Sequence, residues 1–233
     1  MSLPVCAVVG VGPGNGTAFA RRFSEAGHRV ALCSRNLDRL EKLSAEIPNS
    51  KPYEYDASRP EAPGDVFAQI REELGPITTL VYNAGSAVFG DIDALSFENF
   101  RNAWEINTGG LFQATKSVLP DMRAAGGGNI VVIGATASLK GSAGFSAFTS
   151  AKAGQRMLAQ SLARKLGPEQ IHVCYVIIDG VIDIPRTRAM LQDRPDDFFL
   201  KAGEIAEAVW FLTQQDPSAW TFELDLRPFG ERW

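Results

Sequence analysis

The run Val5-Cys6-Ala7-Val8-Val9, followed directly by Gly10-Val11-Gly12-Pro13-Gly14-Asn15-Gly16, constrains the fold more than any other part of the chain. Five apolar residues without a charge fit a strand covered on both faces, and Ala18, Phe19, Arg22 and Phe23 then recur at helical spacing. A strand that enters a helix through a glycine turn leaves backbone N–H groups unpaired at the positive end of the helix dipole, and glycines let a pyrophosphate approach the backbone. The spacing Gly10-x-x-x-Gly14-x-Gly16, with Gly12 as an extra, is neither the common Gly-x-Gly-x-x-Gly nor a P-loop, since no Gly-Lys-Ser/Thr follows. The plainer alternative is a tight strand-to-helix turn without a ligand. The position of the turn on the first strand favours a nucleotide.

Six further strand signals follow, at residues 29–33, 51–56, 77–82, 129–133, 171–178 and 221–226, with helical periodicity between most of them. Asn36 is placed to cap the helix carrying Leu37, Leu40 and Leu43, and Val66, Ile70 and Leu74 mark the next helix. Repeated strand-helix alternation without a linker-like break predicts a single α/β domain over residues 1–233. Its expected form is a doubly wound Rossmann fold, a seven-stranded parallel sheet with helices on both faces. A net charge of −4 gives no nucleic-acid footprint. The short apolar run near the N-terminus lacks a preceding basic residue and ends in glycines, so neither a signal peptide nor a membrane span is expected there. Cys6, Cys33 and Cys174 are odd in number, far apart and inside predicted strands, which reads as buried thiols in a reducing, cytoplasmic setting. With two histidines at these spacings, no metal cluster is expected.

The end of the second strand bears on the cofactor. A carboxylate there would suit the ribose hydroxyls of NAD, whereas a 2′-phosphate calls for a cation. Ser34-Arg35 supplies no acid and one guanidinium, which favours NADP(H), with NAD(H) as the alternative.

The glycine pattern, Asp56 at the third strand end and Asn83-Ala84-Gly85 after the fourth resemble the short-chain dehydrogenase/reductase family over essentially the whole chain. The resemblance implies that the glycine turn, with Asn15, holds the pyrophosphate. It also implies that Ser34 and Arg35 meet the adenosine end, that Asp56 and Ala57 meet the adenine, and that Asn83, Ala84 and Gly85 steady the sheet beside the cofactor. Val9 stands where the family usually has Thr. Residues 97–122 read as a long helix broken near Asn107-Thr108-Gly109-Gly110. The resemblance gives Asn107 a water that relays protons to the active-site Lys.

The family's Tyr-x-x-x-Lys falls on Phe148-Thr149-Ser150-Ala151-Lys152, and its catalytic Ser falls on Ala135. Lys152 is kept, with an implied bond to the nicotinamide ribose, and the implied catalytic set is reduced to Asn107 and Lys152. Carbonyl reduction needs a proton donor aimed at the developing alkoxide and usually a second donor to polarise it; a phenyl ring and a methyl donate nothing. Tyr53, Tyr55, Tyr82 and Tyr175 all lie on predicted strands, and Thr136, Ser138, Ser146, Thr149 and Lys152 remain as candidate substitutes.

After the sixth strand, Asp179-Gly180-Val181-Ile182-Asp183-Ile184 stands where the family has Pro-Gly and a later Thr that seat the nicotinamide carboxamide. Without a gap that Thr falls on Asp183; with a one-residue shift it falls on Ile184. Gly180, Val181 and Ile182 are expected at the cofactor in this loop, and Asp179 and Asp183 read either as ligand-facing carboxylates or as loop caps. The stretch 186–200, rich in charge, suits a mobile substrate lid. The small residues Ala151 and Gly154, with Phe229 and Trp233 at the end, suggest a homodimer or homotetramer.

These features lead to an NADP-dependent oxidoreductase with an atypical site and a small-molecule substrate the sequence does not identify. The alternatives are a non-catalytic NADP-binding sensor or scaffold, and a methyltransferase, which would want an acid where Ser34-Arg35 stands.

Overall fold

The order of apolar residues along the first strand decides how the sheet is covered. The structure, a computed structural model, describes residues 3–59 and 63–231. In β1 (Val5–Val9), Val5, Ala7 and Val9 enter one hydrophobic core while Cys6 and Val8 enter the other. Successive side chains of a strand point to opposite faces, so a continuous apolar run needs a layer on each side.

The helices supply those layers. On one face lie α1 (Asn15–Glu25), α2 (Leu37–Glu46) and α8 (Ala202–Thr213), contributing Phe19, Phe23, Leu40, Ile205 and Val209. On the other lie α3 (Pro63–Leu74), α5 (Gly110–Ala124) and α6 (Ser146–Leu166), contributing Phe67, Ile70, Leu111, Val118 and Ala159. Asn36 caps α2 as the sequence predicts, its side chain accepting from Arg39 N at 2.9 Å.

Seven strands form one sheet in the order β3-β2-β1-β4-β5-β6-β9, every pair parallel. The remaining members are β2 (Arg29–Ser34), β3 (Ser50–Glu54), β4 (Ile77–Tyr82), β5 (Gly128–Ile133), β6 (Ile171–Ile178) and β9 (Glu223–Leu226). The order reverses between β1 and β4, so a crevice opens at their carboxyl ends, the place where ligands of such sheets bind.

Several boundaries differ from the sequence reading. The third strand stops at Glu54, which leaves Asp56 in the turn beyond it. The last strand starts at Glu223, and α6 starts at Ser146, ahead of Phe148. The long helix expected over 97–122 is three pieces: α4 (Phe97–Trp104), one turn of π-helix at Glu105–Gly109, and α5. The stretch read as a lid is folded. A two-stranded parallel ladder pairs β7 (Val181–Ile182) with β8 (Phe199–Leu200), and α7 (Pro185–Met190) lies between them.

Arg188 ties that arm together, bonding Asp183 through two nitrogens at 2.7 and 2.8 Å and Asp196 at 2.7 Å, with its guanidinium 4.1 Å from the Phe199 ring centre. The small residues of α6 are also explained within the chain: Ala151 is buried against Ala103 and Ala147, and a Cβ on Gly154 would lie 3.1 Å from Thr108 Oγ1. Their small size serves helix packing within the chain. Phe229 is exposed, and Trp233 lies outside the described residues. Among the described residues no helix is long and apolar enough to cross a membrane.

Candidate active site

Two adjoining cavities occupy the crevice. The larger, about 840 Å³, is lined by Gly10, Gly12, Ser34, Arg35, Asp56, Ala57 and Asn83-Ala84-Gly85 together with Arg39 and Asp38. The smaller, about 480 Å³, takes in Asn15, Gly85, Ala135, Phe148, Lys152, Gly180 and Ile182. The crevice thus gathers most of the residues singled out in the sequence. Val181, paired with Phe199, lines neither cavity.

The glycines have separate reasons to be there. A Cβ on Gly10, whose φ is +92°, would overlap the backbone of Ala84, because Asn83 Nδ2 donates to Gly10 O at 2.8 Å and pulls the two turns together. A Cβ on Gly16 would lie 2.6 Å from Gly10 O. Gly14, at φ +94°, has a methyl of Ile184 directly over it. Gly12 differs, with nothing within 4 Å of its missing Cβ. It lines the larger cavity just ahead of the start of α1, whose positive dipole end suits a phosphate.

At the far end of that cavity Arg35 has a partner the sequence reading missed. Arg39, one helical turn on, donates to Val11 O at 3.2 Å and reaches Ser34 Oγ at 3.5 Å, so a second guanidinium lies over the strand end. Its place in the first turn of α2, directly after the strand end, was the available signal. Asp56 accepts from Ser58 N at 3.0 Å and Ser58 Oγ at 2.7 Å. Burial alone would raise its pKa, but those bonds and the charges of Arg35 and Arg59 outweigh it and hold the carboxyl below its usual range.

Around Lys152 the geometry is tighter. The side chain is only 6% exposed, with Nζ donating to Ile133 O at 2.9 Å and Gln155 Oε1 at 3.0 Å. Burial without a carboxylate partner pulls its pKa down to about 7. Asn107, in the π-helical turn, donates from Nδ2 to Ala103 O at 2.8 Å and Ser86 O at 3.1 Å. Its backbone carbonyl accepts from Gln155 Nε2 at 2.8 Å. Asn107 Oδ1 is buried with no partner among the described residues. That oxygen and Lys152 Nζ would lie 3.1 and 3.6 Å from a Cβ on Gly85, so both converge on the same glycine. Gln155 was not singled out in the sequence, although a Gln three residues after Lys152 shares its helix face.

Phe148 and Ala135 line the smaller cavity with Lys152. The Phe148 ring meets Phe89 edge-on, centroids 5.9 Å apart, and Phe89 lies 4.8 Å from Phe145, so the mouth is aromatic. Each candidate substitute donor is otherwise engaged or hidden. Thr136 Oγ1 donates to Asp179 at 2.5 Å, Ser138 Oγ donates to Ala135 O at 2.7 Å, and the Thr149 and Ser146 hydroxyls are buried without partners among the described residues. Tyr175 lies nearer than its strand position suggested: its hydroxyl is 3.3 Å from Lys152 O and 3.5 Å from Gln155 Oε1. It is fully buried beneath the cavity, and burial pushes its pKa up to about 12, so it braces α6 rather than facing a substrate. Asp179 and Asp183 act as structural caps, the first ion-paired with Arg227 at 3.3 Å and the second with Arg188.

Residues 4–194 match the family model described as short chain dehydrogenase. The chain belongs to the short-chain dehydrogenase/reductase family. A curated relative, 2-(R)-hydroxypropyl-CoM dehydrogenase of Xanthobacter autotrophicus, is 32% identical over 91% of this chain and 92% of its own length. Among solved structures, a short-chain dehydrogenase from Rhodopseudomonas palustris superposes with a TM-score of 0.84 at 33% identity, covering 97% of this chain and 99% of that one. The alcohol dehydrogenase from the archaeon Thermococcus sibiricus complexed with 5-hydroxy-NADP superposes with a TM-score of 0.88 at 26% identity, each chain covered to 99%.

This short-chain dehydrogenase/reductase keeps room for a dinucleotide: an open Gly12 face, two arginines at one end and a buried amine at the other. Gln155 Nε2 takes the Asn107 carbonyl, which leaves the Asn107 side-chain oxygen as that residue's unpaired acceptor among the described residues.

Proposed function

We propose that the whole chain is one dinucleotide-binding unit that holds NADP(H) in preference to NAD(H). It delivers hydride to an activated or unsaturated small-molecule acceptor and acts only weakly on ordinary ketones and aldehydes. The observation that carries this reading is the pairing of a complete cofactor crevice with a reacting wall made of Ala135 and Phe148. The T. sibiricus relative, described as complexed with 5-hydroxy-NADP, supports the choice of cofactor.

Arg35, Arg39 and the Ser34 hydroxyl are the groups proposed to take a 2′-phosphate, the guanidinium–phosphate pairing being charge-assisted. Gly10, Gly12, Gly14 and Gly16 shape the pyrophosphate turn, Asp56 and Ala57 border the adenine, and Asn83, Ala84 and Gly85 floor the crevice. Lys152 holds the nicotinamide ribose. When bound, the reduced cofactor supplies a hydride. Hydride transfer to a conjugated acceptor lets the substrate spread the developing charge itself, so the chain's part is to orient the acceptor on the apolar wall. The proton then comes from water held by Lys152 Nζ and Asn107 Oδ1. A cytoplasmic setting accords with three free, buried cysteines. Assembly as a homodimer or homotetramer accords with exposed Trp104, Phe112 and Met157 on α4, α5 and α6.

A second reading has its own support. With the Asn107 carbonyl filled by Gln155 and no acid on the wall, the same geometry suits an NADP-binding sensor or scaffold that performs no redox step. Calorimetric titration tests what both readings share. NADPH is expected to bind more tightly than NADH by about 1.5–3 kcal/mol, an advantage lost in Arg35→Ala with Arg39→Ala. Equal affinities in the natural protein, unchanged in that variant, overturn the proposal.

A further inference from the structure

The first residue of α1 carries a buried side-chain oxygen without a partner among the described residues: Asn15 is 5% exposed, and this oxygen is its Oδ1. An unmet buried acceptor costs about 1–3 kcal/mol, so its persistence calls for an explanation. Its position supplies one. The backbone of Asn15 belongs to the glycine turn, but its side chain lines the smaller cavity, with Lys152 and Ala135, and not the larger one that holds Arg35.

Resting on the cofactor reading above, we infer that the Asn15 side chain seats the nicotinamide carboxamide, its Oδ1 accepting an amide N–H of the cofactor. A primary amide brings two N–H donors and one acceptor into a space walled by Ile182 and Gly180, and each must find a partner there. Several polar side chains in or beside that wall are already engaged, while Thr149 shares the cavity with a hydroxyl unpartnered among the described residues. Thr136 Oγ1 donates to Asp179, and Thr187 Oγ1 donates to Ile182 O at 2.5 Å while accepting from Ile184 N at 3.2 Å. Asp183 is closed by Arg188. Ile184, which stands at a position the sequence reading considered for the carboxamide-binding Thr, presents only methyl groups, and one of them covers Gly14. The acceptor lost from the loop is thus supplied by the helix start, whose glycine turn abuts Ile182 and Ile184. The assignment also separates two roles within one turn, with glycines for the phosphates and an asparagine for the ring.

Three probes and one variant test this by calorimetry on the full chain. The probes are NADP+, 2′-phospho-ADP-ribose, which lacks the nicotinamide, and the 3-acetylpyridine analogue of NADP+, in which a methyl replaces the amide NH2. Asn15→Leu is expected to bind NADP+ about 5- to 50-fold more weakly, the loss of one buried hydrogen bond that leaves its donor unpaired. The same variant should bind 2′-phospho-ADP-ribose within about twofold of the natural protein, since that probe meets the backbone of the glycine turn but carries no carboxamide for the Asn15 side chain. The natural protein should bind the acetylpyridine analogue more weakly than NADP+ by a similar factor, and Asn15→Leu should show no further loss on it.

Unchanged NADP+ affinity in Asn15→Leu overturns the inference, as does an equal loss for NADP+ and 2′-phospho-ADP-ribose, which would mark a disturbed glycine turn. Should the variant not fold, the natural protein alone decides: equal affinity for NADP+ and the acetylpyridine analogue rejects the assignment. Failure of the natural protein to bind either NADP+ or 2′-phospho-ADP-ribose overturns the cofactor reading itself, and this inference with it. Binding of the ribose probe with no role for Asn15 leaves the cofactor reading standing.

Discussion

Replacing Lys152 by Met should flatten the alkaline dependence of the protein's stability, and the size of the effect follows from where the amine sits. Nζ is buried against two neutral acceptors, the Ile133 carbonyl and the Gln155 carboxamide oxygen, and burial lowers its pKa from 10.5 to about 7. A lysine whose folded pKa is depressed binds its proton more readily in the unfolded chain. Stability therefore rises with pH from the folded value towards the unfolded one, and is lost as pH falls through that window. At pH 7 the folded amine is half protonated and the unfolded one fully so. By pH 9 the folded amine is neutral while the unfolded amine still carries its proton. Integrating the proton difference over those two pH units gives about 2 kcal/mol of added stability at pH 9 relative to pH 7.

Met has a similar length and no charge, so the difference between the natural protein and Lys152→Met isolates the amine from other titrations. His28 and His172, both lowered below 6.5 by burial, contribute equally to the two proteins and cancel. Urea unfolding of the ligand-free proteins at pH 7, 8 and 9, followed by tryptophan fluorescence, reads the effect directly. A natural-minus-variant stability difference that stays constant within about 0.5 kcal/mol from pH 7 to pH 9 would refute the desolvated amine.

Two other perturbations separate fold from binding. Gly10→Ala should prevent folding, because its Cβ overlaps Ala84 at a positive φ, whereas Gly12→Ala should leave the urea midpoint unchanged and weaken NADPH binding, since its Cβ meets only the open cavity. Matching stability losses in the two variants would contradict this. Gln155→Leu should cost about 2–4 kcal/mol of stability, since it strands the buried Asn107 carbonyl and removes one of the two Lys152 acceptors; a loss below about 1 kcal/mol would mean that water replaces the carboxamide.

The fold was legible in the sequence because its signals are local. The uncharged run of β1 and the eight buried residues of β6 could only be strands covered on both faces, and the turns after them fell at their carboxyl ends. The glycine turn and Asn83 were legible for the same reason, and the structure adds the bond that joins them. What escaped the sequence depends on tertiary contact. Two-residue strands such as β7 and β8 carry no periodicity of their own and exist because Arg188 holds the arm closed over Phe199. The roles of Gln155 and Tyr175 become visible only once α6 lies on β6, since nothing in a strand's pattern says what a tyrosine hydroxyl will meet. Asp179 and Asp183 were ambiguous in sequence because a loop carboxylate looks the same whether it faces a ligand or an arginine.

The central claim is that a complete cofactor crevice is paired with a wall that offers no acid, and steady-state reduction of a panel of ketones and aldehydes by NADPH tests it most directly. The natural protein should run near background, and Ala135→Ser with Phe148→Tyr should raise the rate by about two orders of magnitude or more, each restored donor being typically worth that much. A natural protein that already reduces these substrates briskly, with no gain in the double variant, would contradict the account and place the acid elsewhere.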